Sequence, residues 1–110
     1  MNTEVIKLDY VTHVAYYFKC VSNGVTMTSR CYANRRNTKR GYERFLKRIK
    51  MFGTDILKVK SYGKIYWYFT VAKYFDVYSV LSISYKTKKA ATKAMNEFMK
   101  DFKKEELCIK

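Results

Sequence analysis

The side chains of this chain best suited to chemistry are its basic residues, and the arginines among them are clustered. All six arginines lie between Arg30 and Arg48, and residues 30–50 carry nine basic side chains against one carboxylate, Glu43. A guanidinium presents a planar fork of N–H donors that fits phosphate oxygens and the edge of guanine. The clustering therefore favours a surface that binds a polyanion over the alternative, a charged face that is merely solvated. The cluster consists of Arg30, Arg35, Arg36, Lys39, Arg40, Arg44, Lys47, Arg48 and Lys50.

Side chains suited to catalysis or metal binding are sparse by comparison. The only histidine is His13, and the three cysteines, Cys20, Cys31 and Cys108, form no C-x-x-C pair. The sequence contains no glycine-rich phosphate loop, no nucleophile elbow and no paired-carboxylate motif. We therefore expect a protein that is not an enzyme and that uses no cofactor and no metal ion.

Targeting signals and cysteine usage both favour the cytoplasm. The first residues do not combine a basic region with an apolar run, as a signal peptide would. The longest apolar stretch, residues 65–72, is far shorter than the roughly 20 residues that cross a bilayer. An odd number of scattered cysteines is typical of reduced thiols. We predict a cytoplasmic protein with no membrane partner; the sequence does not indicate an oligomeric state.

The basic cluster must be positioned by a single folded domain. The chain has 110 residues, a formal net charge of +14, 48% hydrophobic residues and 17% aromatic residues. This apolar content excludes a disordered basic tail, and the length leaves room for one core, so residues 1–110 are predicted to form one domain. Such a strong basic excess suggests a polyanionic partner.

A turn at Asn23-Gly24 predicts a β-hairpin, because both residues accept the positive φ of a type I′ turn. In that register Cys20 pairs with Met27 and Tyr16 pairs with Cys31. Side chains alternate between the two faces of the hairpin. The face expected in the core carries Val14, Tyr16, Phe18, Cys20, Val25, Met27 and Cys31, and the opposite face carries Tyr17, Lys19, Thr26, Thr28, Arg30 and Tyr32.

The chain resembles itself when it is shifted by 51 residues. Residues 3–20 align without a gap on residues 54–71, with four identical and six similar positions. Each half then continues into an alternating strand, a Thr-Lys-(Arg/Lys) triplet and an amphipathic helix. This predicts a tandem β-β-β-α repeat, with pseudo-repeats at about residues 3–53 and 54–104. Two ordinary hairpins with similar patterning are the alternative.

The predicted fold class is α+β, with an antiparallel sheet packed on two helices. The predicted strands cover residues 5–10, 13–21, 25–33, 55–60, 64–72 and 77–85, and the predicted helices cover residues 38–52 and 87–104. On the first helix, Arg40, Arg44, Lys47 and Arg48 lie off the apolar stripe. Residues 34–37 are predicted as a polar basic loop whose N–H groups add to the attraction for anions.

Tyrosines are predicted on the face of the sheet that points away from the core. Exposed aromatic rings beside cations suit base stacking or a protein interface. The alternative is a sheet that is covered on both faces. The tyrosines concerned are Tyr17, Tyr32, Tyr66, Tyr68 and Tyr78.

Residues 82–100, SISYKTKKAATKAMNEFMK, resemble part of the N-terminal DNA-binding domains of phage-type tyrosine integrases. Those domains have three antiparallel strands followed by a helix, and a Thr-Lys-Lys-x-Ala turn leads into the helix, as at Thr87 to Ala91 here. The corresponding stretch in the first half of the chain matches this motif less well, because Tyr42 stands where the motif has alanine. The resemblance implies that the sheet enters the major groove. It does not extend to an integrase catalytic region, so recombination is not implied. The contacts it implies are Lys19, Arg30, Tyr17, Tyr66 and Tyr68.

Together these observations predict a small nucleic-acid-binding protein, with DNA favoured, that serves a phage or mobile element as an accessory or regulatory factor. The alternative is a protein-binding inhibitor or adaptor that docks a Tyr/Arg-rich face on an acidic host protein, because Tyr and Arg are enriched in binding hot spots. The predicted nucleic-acid contacts are Lys19, Arg30, Arg35, Arg36, Lys39, Arg40, Arg44, Lys47, Arg48, Lys88, Lys89, Tyr17, Tyr66 and Tyr68.

Overall fold

The computed structural model describes residues 1–72 and 80–109, with side chains up to residue 102. The predicted strand residues 77–79, with Tyr78, lie outside this part of the chain. The elements are β1 (Asn2–Asp9), β2 (Val14–Ser22), β3 (Val25–Ser29), α1 (Arg35–Phe52), β4 (Thr54–Ser61), β5 (Lys64–Val71), β6 (Val80–Ser82) and α2 (Lys88–Ile109).

The strands form one six-stranded sheet in the order β1-β2-β3-β6-β5-β4. Every neighbouring pair is antiparallel, and the pairing of β3 with β6 joins the two halves of the chain. The α+β class and the antiparallel sheet with two helices are thereby confirmed. The order of three strands and a helix occurs twice. An internal duplication stays a prediction.

Two-residue turns close the β2–β3 and β4–β5 hairpins. Asn23 and Gly24 both have positive φ, 51° and 77°, and Cys20 pairs with Met27 as predicted. Tyr62 and Gly63 adopt almost the same angles, 50° and 77°, between β4 and β5. Positive φ at both turn positions matches the twist of the flanking strands, so these turns set the register of each hairpin.

A bulge after β3 overturns the predicted pairing of Tyr16 with Cys31. Tyr16 instead pairs with Tyr32, and the Phe18 N–H donates to the side-chain oxygen of Ser29 at 2.9 Å. One extra residue therefore separates Ser29 from Tyr32. As a result Cys31 is exposed and Tyr32 packs against the core, so the prediction of Tyr32 on the outward face is wrong.

The second half contains the same arrangement. The Phe69 N–H donates to the side-chain oxygen of Ser82 at 3.0 Å, and Trp67 pairs with Tyr85. In both halves the serine hydroxyl replaces a backbone acceptor in the ladder and donates to the next carbonyl, that of Arg30 or Ile83. The regular strands β3 and β6 consequently end at Ser29 and Ser82, earlier than predicted.

Helix α1 begins three residues earlier than predicted, because Asn34 caps it. The Asn34 side chain accepts a hydrogen bond of 2.8 Å from the Asn37 N–H. Residues 35–37 therefore belong to the first helical turn, and the predicted basic loop is wrong. Thr87 caps α2 in the same manner, whereas Thr38 lies inside α1. The two Thr-Lys triplets thus occupy different positions in their helices.

Both helices pack on one face of the sheet, called the inner face. The core joins Phe18, Cys20, Met27, Phe69, Val71 and Val80 of the strands to Phe45, Ile49, Phe98 and Phe102 of the helices. The Phe18–Phe45 ring centroids lie 5.6 Å apart and those of Phe69–Phe98 lie 5.8 Å apart. One core therefore serves both halves, as a chain of this length requires.

Polar contacts also tie the halves together. The hydroxyl of Ser22, at the end of β2, donates to the Phe98 carbonyl at 3.0 Å and to Asp101 at 2.6 Å on α2. The bond from Ser22 is the main cause that lowers the pKa of Asp101. Because Asp101 accepts while ionised, this link is strongest when the carboxylate is charged.

Candidate nucleic-acid interface

Helix α1 presents the predicted basic cluster on its solvent-facing half. Its opposite side buries Thr38, Gly41, Phe45 and Ile49, and this spacing fixes which way the cations point. Glu43 is the one acidic residue among the 18 residues of α1. The exposed cations are Arg35, Arg36, Lys39, Arg40, Arg44, Lys47 and Lys50, and Arg48 is half-buried.

The charge of this surface, the α1 basic face, is largely uncompensated. Among the residues that the structure describes, no carboxylate forms an ion pair with Arg36, Arg40, Arg44 or Lys47. The first turn contains no acidic residue, although the N-terminal end of a helix carries partial positive charge. Cations at this end of the helix add to its partial positive charge, so the electrostatic potential at the surface is raised and attracts an anion.

An open groove of about 570 Å³ runs beside α1. Asn37, Arg40, Arg44 and Lys47 line it from the helix, with Glu43, and Tyr32 lines it from the segment after β3. Asn37, Arg40, Arg44 and Lys47 are separated by three or four positions, so they share one side of the helix. The bulge is what brings Tyr32 here, because it turns the ring towards α1. The groove therefore places one aromatic ring beside three cations.

The Tyr32 ring reaches this position because position 41 of α1 is glycine. A Cβ at Gly41 would overlap with the hydroxyl and Cζ of Tyr32. Glycine otherwise weakens a helix by about 1 kcal/mol relative to alanine. Its presence in mid-helix is thus explained by the close approach of the ring.

Gly41→Ala should destabilise the fold by about 1–2 kcal/mol, since overpacking against Tyr32 outweighs the gain in helix propensity. Urea unfolding followed by circular dichroism measures this difference. In a Tyr32→Val background the same substitution should be neutral or stabilising by up to about 1 kcal/mol. An equal loss in both backgrounds would show that Tyr32 is not the reason for the glycine.

The structure places the predicted sheet contacts on another surface. Tyr17, Lys19, Tyr66 and Tyr68 alternate with core residues along β2 and β5, so they lie on the outer face of the sheet, opposite the helices. Arg30 is exposed beside the bulge. The α1 basic face and the tyrosines of the sheet are therefore on opposite sides of the molecule.

The remaining predicted contacts are at the start of α2. Lys88 and Lys89 are exposed in its first turn, which also lacks an acidic residue. Farther along α2, Glu97 pairs with Lys100 at 2.7 Å and Asp101 lies beside Ser22. α2 thus carries acidic groups that partly offset its lysines, whereas α1 itself contains a single carboxylate, that of Glu43.

Two cation–aromatic contacts were not anticipated from the sequence. The Arg35 guanidinium lies 5.3 Å from the centroid of the Tyr16 ring, and the Lys58 ammonium lies 5.6 Å from that of Trp67. The Tyr16 ring is predicted above simply as a core residue. Tyr16 and Trp67 occupy equivalent positions in the 51-residue alignment, which was the one signal that linked the two rings. The contact of Arg35 with Tyr16 depends on where α1 begins, and the sequence did not indicate that position.

Groups suited to other chemistry are dispersed. The His13 ring stacks on Tyr10, with centroids 4.8 Å apart, and its Nδ1 lies 3.0 Å from the Thr12 hydroxyl. Burial raises the pKa of the Cys20 thiol, which keeps it protonated at neutral pH. In residues 1–72 and 80–102, no three His, Cys, Asp or Glu side chains gather where they could hold a metal ion.

No helix in the part of the chain that the structure describes is long and apolar enough to cross a membrane. Comparison of the chain with protein-family models, curated proteins and solved structures found no match in any of the three. The chemistry of the surfaces described above is therefore the basis for inferring a function.

Proposed function

We propose that the chain is a nucleic-acid-binding protein whose α1 basic face contacts the phosphate backbone. The observation that carries this proposal is a set of exposed α1 cations that have no ion-pair partner among the described side chains, Arg36, Arg40, Arg44 and Lys47. The phosphate backbone of a nucleic acid is the ligand for which such an array gains the most binding free energy, because each neutralised phosphate releases a counterion.

The dimensions of the α1 basic face also suit a duplex. Residues 36 to 47 span about 16 Å along the helix axis. This length corresponds to about five nucleotide steps along one strand at 3.4 Å each. Contacts to phosphates position a protein without reading sequence, whereas arginines can in addition read guanine in the major groove. DNA is the favoured ligand, and a role as an accessory or regulatory factor of a phage or mobile element is part of this proposal.

The groove beside Tyr32 supports a second candidate, an acidic protein partner. Tyr32, Arg40 and Arg44 lie together there, and Tyr and Arg are the side chains most enriched in binding hot spots. An inhibitor or adaptor would use this groove to hold carboxylates of a host protein. Nuclease treatment separates the two candidates, because a pull-down that still recovers one protein in stoichiometric amount after nuclease treatment would favour the acidic protein partner.

Electrophoretic mobility shifts test the leading proposal. Duplex DNA, single-stranded DNA and RNA of equal length should be titrated with the protein at about 50 mM salt, where phosphate contacts are least screened. We expect the duplex to shift at micromolar protein or below. If none of the three ligands shifts at about 50 µM protein, nucleic-acid binding is wrong and the acidic-protein candidate takes its place.

A further inference from the structure

The outer face of the sheet is a second large surface with a different composition. Both helices pack on the inner face, and among the described elements none packs on the outer face. Tyrosine and aliphatic side chains dominate it, and most of them are half-buried by their neighbours. The apolar members are Ile6, Leu8, Ala15, Tyr17, Val21, Leu57, Val59, Tyr66, Tyr68 and Leu81, as the strand registers place them.

The charge of the outer face separates it from the α1 basic face. By register its charged residues are Glu4, Lys19, Asp55 and Lys64, two of each sign, so they sum to zero in a chain of net charge +14. Glu4 and Lys19 are direct cross-strand partners. Such a face offers a phosphate backbone no net attraction, and it offers an acidic protein none either.

The outer face is also large enough for a stable contact. Six strands about 4.8 Å apart, with a rise of about 3.3 Å per residue, give an area of roughly 650 Å². Stable interfaces bury from about 600 to 1,000 Å² on each partner, so this area lies near the lower end of that range. An apolar sheet face of this size normally meets another layer, because burying it is favourable by about 25 cal/mol per Å².

We propose that the outer face binds a second copy of this chain, so that two sheets stack face to face around a twofold axis. A surface with two charges of each sign does not repel its own copy, whereas any contact through the α1 basic face would bring like charges together. Stacked sheets lie about 10 Å apart. Each α1 lies beyond its own sheet, so the two basic faces are separated by more than the Debye length of about 8 Å at physiological salt. The dimer therefore leaves both basic faces exposed.

Sedimentation equilibrium at about 10–200 µM protein tests this inference, at 150 and 500 mM salt. The informative substitution is Thr28→Glu. Thr28 lies on the central strand β3 and pairs with Lys19 on one side and Leu81 on the other. In the monomer Lys19 can neutralise the introduced carboxylate. In the dimer two such carboxylates would be buried near the axis, which is costly.

The matched control is Asn96→Glu, which adds the same charge at an exposed position of α2. We expect a mass of about twice 13.1 kDa for the wild-type chain and for the control, and the monomer mass for Thr28→Glu. Circular dichroism should show that all three are folded. A wild-type chain that stays monomeric at 200 µM would overturn the proposal, as would a dimer that Thr28→Glu leaves intact. Loss of DNA binding in Thr28→Glu but not in the control, with a monomeric wild type, would assign the face to nucleic acid instead.

Discussion

Replacing Arg36, Arg40, Arg44 and Lys47 together by alanine should lower the affinity for duplex DNA by about 10³-fold at 150 mM salt. About five phosphate contacts imply a slope of roughly −4 to −5 when the logarithm of the binding constant is plotted against the logarithm of the salt concentration. The loss of four contacts should make this slope less negative by about three to four units. The measurement is a salt titration of binding by fluorescence anisotropy. The fold should persist, because all four side chains are exposed and alanine favours the helix.

The control removes the same number of charges elsewhere. Lys60, Lys86, Lys93 and Lys100 are exposed and lie outside α1. Their joint replacement by alanine should cost less than about tenfold in affinity and change the slope by about one unit or less. Equal losses in the two variants would mean that net charge alone drives binding and that α1 is only a solvated face. Arg35 is left unchanged in both variants because it also packs on Tyr16.

Most of the fold could be predicted because its signals are local. Asn23-Gly24 specified a turn type and with it the pairing of Cys20 with Met27, which the structure confirms. The apolar spacing on the first helix also placed Arg40, Arg44 and Lys47 off its buried side, and the structure leaves all three exposed. The turn dipeptide and the helical period of 3.6 residues both involve residues that are close in the sequence. They can therefore be recognised without knowledge of distant parts of the chain.

The bulges could not be predicted because they depend on contacts across strands. Ser29 accepts from the Phe18 N–H eleven residues earlier, and neither residue signals this on its own. A single inserted residue moves each side chain that follows it to the opposite face of the sheet. For this reason Tyr32 lines the groove beside Arg40 and Arg44 instead of the outer face.

The candidate site was predicted in its residues but not in its arrangement. The charge cluster was visible from residue counts, and α1 does present it to solvent. What the counts did not provide was that the basic cluster and the predicted sheet contacts lie on opposite sides of the sheet. Phe18 and Phe69 draw both helices to the inner face, which leaves Tyr17 and Tyr68 on the other side. The start of α1 was missed as well, because Asn34 was interpreted as part of a loop and not as a cap.

The second large effect should come from Phe45→Ala, which removes a fully buried ring of α1. We expect the free energy of unfolding to fall by about 3–5 kcal/mol. This is a large share of the 5–15 kcal/mol that stabilises a typical domain. Phe45 contacts Phe18 of the first half, whereas the single tryptophan, Trp67, lies on β5 of the second half. If one core serves both halves, tryptophan fluorescence should report the loss in full.

Urea titrations followed by Trp67 fluorescence and by far-ultraviolet circular dichroism measure the two responses. The transitions should coincide in the wild-type chain and move together in Phe45→Ala, by about 2 M urea for a slope near 2 kcal/mol per M. Phe52→Ala is the matched control, since it removes the same atoms from the same helix at a position that is 40% exposed, and it should cost less than about 1 kcal/mol. The opposite outcome is a Trp67 transition that stays in place while the dichroism transition shifts. That result would show that the two halves unfold separately, as two weakly coupled units that share no common core.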